Sequence, residues 1–265
     1  MSQKTFSRTM GVVLLSGMLA FSASSAAHPI SQIRFAVDPS YPPFESKQPD
    51  GKLVGFDIDL GNALCAQLKA KCIWIESSFD SMIPGLKARK FDAVLSDMGI
   101  TEERRKQIDF TRPLYNTPVQ LVAGKDTQLL PTAASLQGKR IGVEQGTVQE
   151  RYAQAKWQPH GVEIVAYDDQ AQVESDLVAG RIDALFTDGA QAELGFLRTP
   201  QGQRFALMGP PVHDPIIGPG TAIGLRKGST ELKQSLDQAF DTLVENGTFK
   251  RIMDNYFTTD ISVSR

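Results

Sequence analysis

The sequence has few of the residues that metal sites, nucleic-acid surfaces and nucleotide-binding loops require. Its three histidines are scattered and only two cysteines occur in 265 residues, so we expect no metal site. Lysines and arginines number 28 against 30 aspartates and glutamates, and no basic run occurs, which makes nucleic acid and anionic membranes poor partners. Neither a Walker pattern nor a GxGxxG motif is present, and we expect no cofactor.

Long hydrophobic runs are also lacking, and the most apolar stretch lies near the N-terminus. Two basic residues precede an apolar segment over residues 10–21, and small residues follow it. A membrane anchor is the alternative, but a spanning helix needs ~20 apolar residues. The pattern is therefore typical of a secretory signal peptide over residues 1–27, cleaved near Ala27, and we expect the mature chain to be exported.

The two cysteines, Cys65 and Cys72, bracket the end of a predicted helix and the start of a predicted strand. In an exported chain with an even number of cysteines, a disulfide bond is the leading interpretation, and two free buried thiols are the alternative. Closing so short a loop adds roughly 2–3 kcal/mol to the free energy of unfolding.

Strand and helix patterns alternate along the mature chain, which predicts an α/β fold with mostly parallel sheets and helices on both faces. The predicted strands span residues 33–37, 72–76, 91–95, 121–123, 138–143, 162–167 and 182–186. The predicted helices span residues 56–69, 80–89, 148–156, 170–179 and 190–197, with one more beginning at residue 101 and a C-terminal one ending near residue 246. A proline-rich stretch, 38–43, is predicted to be a rigid loop.

An internal sequence repeat and two proline-rich segments divide the chain into two predicted lobes. Residues 86–97 and 177–188 share a pattern that ends in Ser/Thr-Asp. Proline-rich segments at 110–120 and 209–220 are typical of crossings between lobes, and two crossing strands form a hinge around which a cleft can close on a ligand. The expected boundaries are residues 28–116 and 219–265 for a discontinuous lobe 1, and residues 117–218 for lobe 2 with a hinge segment at each end.

Four acids and one arginine are predicted to face this cleft. In open α/β sheets, ligands bind beyond the carboxyl ends of the strands, where all four acids fall. Arg104 lies one turn into a helix, so its guanidinium and the free backbone N–H groups of the preceding turn form a potential carboxylate receptor. Singly, each acid is also consistent with a turn or cap residue, and the arginine with a solvated surface charge. The acids are Asp38, Asp97, Glu144 and Asp188.

Two aromatic residues lie on loops that follow predicted strands. Tyr41 is held on the proline-stiffened loop, and Phe79 stands directly before a predicted helix. Rings in such positions can stack on both sides of a ligand group, and a cation between them gains on the order of 0.5–2 kcal/mol. Packing at the rim of the lobe is the alternative interpretation.

Several motifs occur together across the mature chain: Tyr41-Pro-Pro-Phe44, Gly55-Phe-Asp-Ile-Asp-Leu60, the Cys65/Cys72 pair, Phe79-Asp80, Ser96-x-x-x-Ile-Thr101-x-x-Arg104, Gly146-Thr147 and Gly180-Arg-x-Asp-Ala184. In combination they resemble the periplasmic polar-amino-acid-binding proteins of ABC importers, solute-binding protein family 3, and most of all the lysine/arginine/ornithine- and histidine-binding branch. The resemblance implies a two-lobed type II periplasmic-binding-protein fold, a monomer in the periplasm and an inner-membrane ABC permease as partner.

The resemblance also implies a role for each site residue. Arg104 and nearby backbone N–H groups would hold the α-carboxylate of an amino acid, and Asp188 would hold its α-ammonium group. Asp38 would meet the distal cation of the ligand side chain. The remaining ligand-binding positions that we predict are Tyr41 and Phe79, which sandwich the side chain, Ser96 on the pocket floor, and Asp97, Gly99, Glu144, Thr147 and Val148.

Four of these positions depart from the usual pattern of the branch. Gly99 and Val148 replace residues that commonly carry hydroxyl groups, which affects how the carboxylate is bound. Asp97 stands where Ser or Gly is usual, and Glu144 where an apolar residue or Gln is found. Four acids against one arginine leave a formal excess of three negative charges, and unpaired buried charge is costly. We therefore expect a cationic L-amino acid: arginine first, then lysine or ornithine, then protonated histidine or an arginine-derived opine.

Two other functions are compatible with the sequence. Similar exported folds include cyclohexadienyl and arogenate dehydratases, and Glu144 or Asp97 beside an arginine could support general acid chemistry. No Ser/His, Cys/His or metal constellation favours catalysis, so we expect a binding protein and not an enzyme. A sensor that presents a bound amino acid to a membrane receptor would use the same closed form as a transporter.

Overall fold

The computed structural model describes residue 1 and residues 30–263. Apart from residue 1, the predicted signal peptide and its cleavage point near Ala27 lie outside the described residues. No helix among the described residues is long and apolar enough to cross a membrane.

Strands and helices alternate as the sequence predicts. The strands are β1 (Gln32–Val37), β2 (Ser40–Tyr41), β3 (Glu45–Lys47), β4 (Leu53–Val54), β5 (Lys71–Glu76), β6 (Ala93–Val94), β7 (Ile108–Phe110), β8 (Val119–Gly124), β9 (Arg140–Glu144), β10 (Glu163–Tyr167), β11 (Ala184–Asp188), β12 (Phe205–Val212) and β13 (Gly224–Arg226). The α-helices are α1 (Phe56–Leu68), α2 (Met82–Lys87), α3 (Glu102–Gln107), α4 (Ala133–Leu136), α5 (Val148–Lys156), α6 (Gln170–Val178), α7 (Thr230–Glu245) and α8 (Thr248–Tyr256). A π-helix spans Gln191–Leu197, and short 3-10 turns span Phe79–Ser81, Gln158–His160 and Gly202–Arg204.

Two five-stranded sheets organise the chain. The strand order is β5-β1-β6-β13-β7 in the first sheet and β10-β9-β11-β8-β12 in the second. In each sheet the first three strands are parallel, and the fourth runs antiparallel to both of its neighbours. The reversed strands, β13 and β8, are the ones that the chain enters directly after passing from one sheet to the other. The predicted mostly parallel, two-lobed α/β fold is therefore confirmed.

Each sheet has its own apolar core. Beside the first sheet, α7 buries Leu236, Phe240 and Leu243 together with residues of α1 and α8, as the helical spacing of these side chains predicts. Behind the second sheet, the rings of Trp157 and Phe186 lie 4.6 Å apart and are fully buried. Each such side chain contributes ~1.5–3 kcal/mol on burial, so both sheets are stabilised independently of the cleft between them.

The disulfide bond between Cys65 and Cys72 is confirmed. Their Cα atoms lie 5.7 Å apart, and the bond ties the last turn of α1 to the start of β5. Because β5 pairs with β1 in parallel, the bond also fixes α1 against the strand that precedes the cleft.

Some elements differ from the prediction. The predicted rigid loop at 38–43 contains β2, which pairs with β3 and β4 in a small antiparallel sheet. The predicted helix at 80–89 is a 3-10 turn followed by the shorter α2. After α7, the left-handed residue Gly247, with φ +75°, turns the chain into a further helix, α8, that was not predicted.

Candidate ligand-binding cleft

A cavity lies between the carboxyl ends of the parallel strands of the two sheets. Its empty volume is about 570 Å³ when counted with its opening to solvent. The structure brings together all eleven predicted ligand-binding residues in its lining: Asp38, Tyr41, Phe79, Ser96, Asp97, Gly99, Arg104, Glu144, Thr147, Val148 and Asp188.

Arg104 enters the cavity from the first turn of α3. The hydroxyl of Thr101 caps this helix by accepting a hydrogen bond from the backbone N–H of Arg104 at 3.1 Å. The guanidinium donates to the carbonyl of Gly99 at 2.7 Å and to the carbonyl of Gly146 at 2.9 Å, and its carbon lies 5.1 Å from the ring centre of Phe79. Burial lowers the pKa of Arg104 to about 10, so it stays charged at neutral pH.

No carboxylate among the described residues forms an ion pair with Arg104. Its two hydrogen-bonded carbonyls leave further guanidinium N–H groups available, because a guanidinium carries five donors. A buried cation of this kind is costly without an anionic partner. The site can therefore bind an anionic group such as a carboxylate.

Asp188 ends β11, and hydrogen bonds from three directions hold its carboxylate. One oxygen accepts from the hydroxyl of Thr117, and the other accepts from the backbone N–H groups of Ala190 at 2.8 Å and Gln191 at 3.3 Å. Burial raises the pKa of Asp188 to about 6. The carboxylate is thus largely ionised at neutral pH and can bind a cation.

Asp97 lies beyond β6 in the left-handed backbone region, with φ +40°. Its N–H donates to the carboxylate of Asp57 at 2.8 Å, and its own carboxylate accepts from the hydroxyl of Thr221 at 2.7 Å. Burial raises the pKa of Asp97 well above its usual value, and the negative charge of Asp188 raises it further. A non-glycine residue with positive φ is strained, and such strain is common at functional sites.

Asp38 and Ser96 are joined to each other on the floor of the cavity. The Ser96 hydroxyl accepts from the Asp38 N–H at 3.0 Å and donates to the buried carboxyl of Glu45 at 2.6 Å. One Asp38 oxygen accepts from the N–H and the hydroxyl of Ser40, and the other accepts from the N–H of Phe79 at 3.2 Å. Burial raises the pKa of Asp38, although these hydrogen bonds oppose the shift.

Glu144 ends β9 and is only 4% exposed. Its Oε1 atom is buried and has no hydrogen-bond partner among the described residues. Burial raises the pKa of Glu144 well above its usual value, and the negative charge of Asp38 raises it further. Glu144 is therefore an acid with unfilled hydrogen-bonding capacity at the cavity wall.

The start of α5 forms the wall beside Glu144. The Thr147 hydroxyl accepts from the N–H of Glu150 and donates to the carbonyl of Glu144 at 2.6 Å, so it caps α5 as a helix start requires. Val148 is buried at the first position of that helix. A methyl group built on Gly99 would lie 3.5 Å from Val148, which leaves ordinary contact distance across the cavity.

Polar contacts join the two sheets around the cavity. The Tyr41 hydroxyl is 2.9 Å from the hydroxyl of Thr187 and accepts from the N–H of Asp188 at 3.1 Å. The N–H of Gln170 donates to the hydroxyl of Ser40. An ion pair joins Arg151 of α5 to Glu103 of α3. The aromatic residues therefore have different roles, since Tyr41 bonds across the cleft while Phe79 stacks on Arg104.

Five further polar residues that line the cavity were not predicted from the sequence. Glu45 lies on β3 and Gln149 on α5, while Asn116, Thr117 and Thr221 lie in the two segments that connect the sheets. Glu45 directly follows the Tyr-Pro-Pro-Phe motif, and each threonine lies in or directly after a proline-rich crossing, so proximity to these motifs was the available signal.

Comparison with known proteins gives consistent results. The sequence model of the bacterial extracellular solute-binding proteins, family 3, matches residues 33–259. The histidine-binding periplasmic protein of Salmonella typhimurium is 46% identical over 250 residues, which cover 93% of this chain and 96% of that protein. The L-arginine-binding protein of Pseudomonas aeruginosa is 46% identical over 86% of this chain and 89% of its own length. The lysine/arginine/ornithine-binding periplasmic protein of Escherichia coli is 42% identical over 95% and 97%.

Solved structures of periplasmic and ancestral amino-acid-binding proteins are also similar to this chain. A Salmonella typhimurium periplasmic binding protein of high arginine specificity has a TM-score of 0.80 and 34% identity, covering 86% of this chain and all of that one. An ancestral arginine-binding protein bound to arginine has a TM-score of 0.81 and 32% identity, covering 87% of this chain and all of that one. A structure of an ancestral arginine-binding protein bound to glutamine has a TM-score of 0.80 and 31% identity, over 88% of this chain and all of that one.

Proposed function

The chain belongs to family 3 of the bacterial extracellular solute-binding proteins, and from this premise we propose that it binds a cationic L-amino acid for an ABC importer. Family membership makes it a binding protein and not an enzyme, which argues against the dehydratase alternative. We further propose that it works as a monomer in the periplasm after cleavage near Ala27, and that it delivers its ligand to an inner-membrane permease.

One observation carries the choice of ligand class. Arg104 is a buried guanidinium with no carboxylate partner among the described residues, and acids form the other charged side chains of the cavity lining. An α-carboxylate satisfies the arginine, whereas an α-ammonium group and a side-chain cation satisfy acids. Relatives named for binding histidine, arginine, or lysine, arginine and ornithine support this choice.

In the proposed pose, each end of the amino acid has its own partner. Arg104 binds the α-carboxylate together with backbone N–H groups near Gly99 and at the start of α5. Asp188 binds the α-ammonium group, and Asp38 binds the side-chain cation above Ser96. Tyr41 and Phe79 enclose the aliphatic part of the side chain, and Asp97, Glu144, Thr147 and Val148 complete the wall.

The test is isothermal titration calorimetry of the mature protein, freed of co-purified ligand by partial unfolding and refolding, with a panel of amino acids. We expect arginine to bind most tightly, then lysine or ornithine, then histidine at a pH where it is protonated. Citrulline, which has the shape of arginine without its charge, serves as the matched control and should bind at least 100-fold more weakly, as an unpaired buried charge costs about 3 kcal/mol. A preference for glutamine or glutamate over arginine would contradict the proposal.

A further inference from the structure

Four of the five acids that line the cleft form two pairs, and each pair takes one member from each sheet. Asp38 follows β1 of the first sheet, and its negative charge raises the pKa of Glu144 at the end of β9 in the second. Asp97 follows β6 of the first sheet, and its pKa is raised by the negative charge of Asp188 at the end of β11 in the second. The contacts that join the sheets therefore bring like charges together, which is unfavourable unless cations or protons intervene.

A cationic amino acid does not supply enough positive charge for both pairs. Arginine and lysine each carry two positive groups and one α-carboxylate. In the proposed pose the carboxylate pairs with Arg104, the ammonium group with Asp188 and the side-chain cation with Asp38. Three acids of the lining, Glu45, Asp97 and Glu144, are then left without a cation of their own. A buried carboxylate without compensation shifts toward its neutral, protonated form.

Of these three acids, Glu144 has the surroundings that favour the neutral form, since Glu45 accepts a hydrogen bond from the Ser96 hydroxyl at 2.6 Å. The Oε1 atom of Glu144 is buried and has no hydrogen-bond partner among the described residues. Asp97 is only half-buried, accepts a hydrogen bond from Thr221, and is close enough to Arg104 to raise the pKa of that guanidinium. Both contacts of Asp97 favour a charged carboxylate, whereas Glu144 has neither.

The charged and titratable groups around Glu144 come from several elements. No basic residue other than Arg104 is among the described residues that line the cavity, and its guanidinium is bonded to backbone carbonyls. The negative charges of Asp38, Asp169 and Asp97 raise the pKa of Glu144. Glu144 in turn raises the pKa of the Tyr41 hydroxyl. The surroundings of Glu144 are thus acidic on each side, and a proton is the simplest group that relieves the repulsion.

We propose that Glu144 is a proton-binding site of the closed cleft, so that closure on a cationic amino acid takes up one proton from the solvent. The inference rests on the proposed function. The proton passes from water or buffer to the Glu144 carboxylate, and the resulting carboxyl O–H donates to Asp38. Asp38 stays charged and binds the side-chain cation, so Glu144 acts on the ligand through Asp38 as a positioning residue.

The direction of the pH dependence follows from the two states of the cleft. In an open cleft Glu144 would face water, and its pKa would be that of an ordinary glutamate. In the closed cleft, burial and Asp38 raise its pKa well above this. A group whose pKa rises on closure strengthens binding at low pH, and this gain is lost as the pH rises toward the raised value. Affinity for arginine should therefore fall by up to about tenfold per pH unit as the pH rises from the ordinary glutamate pKa toward the raised one.

The experiment is calorimetric titration with arginine between about pH 5.5 and 8, in buffers of different ionisation enthalpy, which together report protons taken up per ligand. For the wild-type protein we expect uptake approaching one proton and affinity that rises as the pH falls. Glu144→Gln should bind arginine without this proton and with a flatter pH profile, and Glu144→Leu should do the same if the glutamine disturbs the site. Glu231→Gln, an exposed substitution in α7, is the matched control and should behave as wild type.

The outcomes separate this inference from the proposed function. If the wild-type protein binds arginine with no net proton uptake, or if Glu144→Gln and Glu144→Leu take up as many protons as wild type, then Glu144 is not the proton site. If arginine binds to neither the wild-type protein nor the control at any pH, the proposed function itself is wrong.

Discussion

At the scale of single residues, Arg104 decides which end of an amino acid the cleft accepts. Its guanidinium donates to the carbonyls of Gly99 and Gly146 and still has donors left for a carboxylate. Lysine keeps the charge but cannot maintain these contacts in one planar arrangement. We expect Arg104→Lys to weaken arginine binding by about 2–3 kcal/mol, the range of one charge-assisted hydrogen-bonded contact, as measured by calorimetry.

The neighbouring residue provides the control for this substitution. Arg105 follows Arg104 in α3, but its side chain is 46% exposed and pairs only loosely with Glu102 at 3.9 Å. Surface ion pairs of this kind contribute about 0–1 kcal/mol, so Arg105→Lys should leave the affinity unchanged. Equal losses in both variants would show that the helix, and not the guanidinium of Arg104, matters for binding.

The site residues that could be predicted from the sequence are those whose position depends on local structure. Asp38, Glu144 and Asp188 follow or end predicted strands, and this alone places them at one edge of a sheet. The hydroxyl of Thr117 on Asp188 and that of Thr221 on Asp97 could not be predicted, because these contacts join residues 71 and 124 positions apart. Such contacts depend on how the crossing segments pack against each sheet.

At the scale of elements, the π-helix Gln191–Leu197 approaches the loop after β2 across the cleft. Ala190 and Leu194 pack against the core of the first sheet. A methyl group built on Gly195 would lie 2.2 Å from the carbonyl oxygen of Pro42, although the backbone of Gly195 is not in the left-handed region. π-helical turns are rare and frequently occur at functional sites.

This geometry predicts that Gly195→Ala affects closure without affecting folding. The added methyl group meets Pro42 only when the lobes are together, so it should weaken arginine binding by about 1–3 kcal/mol, the usual cost of overpacking. The thermal unfolding temperature of the ligand-free protein should change little. Calorimetry measures the first effect and a thermal melt the second.

A glycine within one lobe provides the contrast. A methyl group on Gly142 would lie 2.4 Å from Ile182 and 2.8 Å from Val173, all in the core of the second sheet. Gly142→Ala should therefore lower the unfolding temperature even without ligand. If Gly195→Ala lowers the unfolding temperature as much as Gly142→Ala does, its effect lies in folding and the interpretation as a closure contact is wrong.

Helices and strands with a local sequence signal could be predicted, and those without one could not. The bounds of α5 are as predicted because Thr147 is a local capping signal. Strands β2 and β4 contain two residues each, which is too few to show any periodicity. They form only because each pairs with β3, which lies between them. Short strands of this kind depend on tertiary pairing that a local pattern does not contain.

At the scale of the whole molecule, two segments connect the sheets, one between β7 and β8 and the other between β12 and β13. They touch each other through an antiparallel bridge between Tyr115 and Thr221. The boundaries after residues 116 and 218 fall within these segments and stay a prediction. Paired segments with few other connections are the usual construction of a hinge, because only a few backbone torsions must change for two rigid bodies to move.

The balance between open and closed forms should therefore depend on charge. Without a cationic ligand, the two acid pairs, Asp38 with Glu144 and Asp97 with Asp188, oppose closure across the cleft. The contacts that favour closure include the packing of Ala190 and Leu194 against the first core, and hydrogen bonds across the cleft that contribute only about 0.5–1.5 kcal/mol each. We expect the ligand-free protein to be mostly open at neutral pH.

Small-angle X-ray scattering measures this directly. Saturating arginine should reduce the radius of gyration, because its two cations compensate acids from both sheets and its carboxylate compensates Arg104. Glutamate at the same concentration should leave the scattering curve unchanged, since its side chain adds a third anion near Asp38. Lowering the pH to about 5 without ligand should shift the population part of the way toward the compact form, as protons replace the missing cations. Scattering curves that do not differ between the ligand-free and the arginine-saturated protein would mean that the acid pairs do not hold the lobes apart.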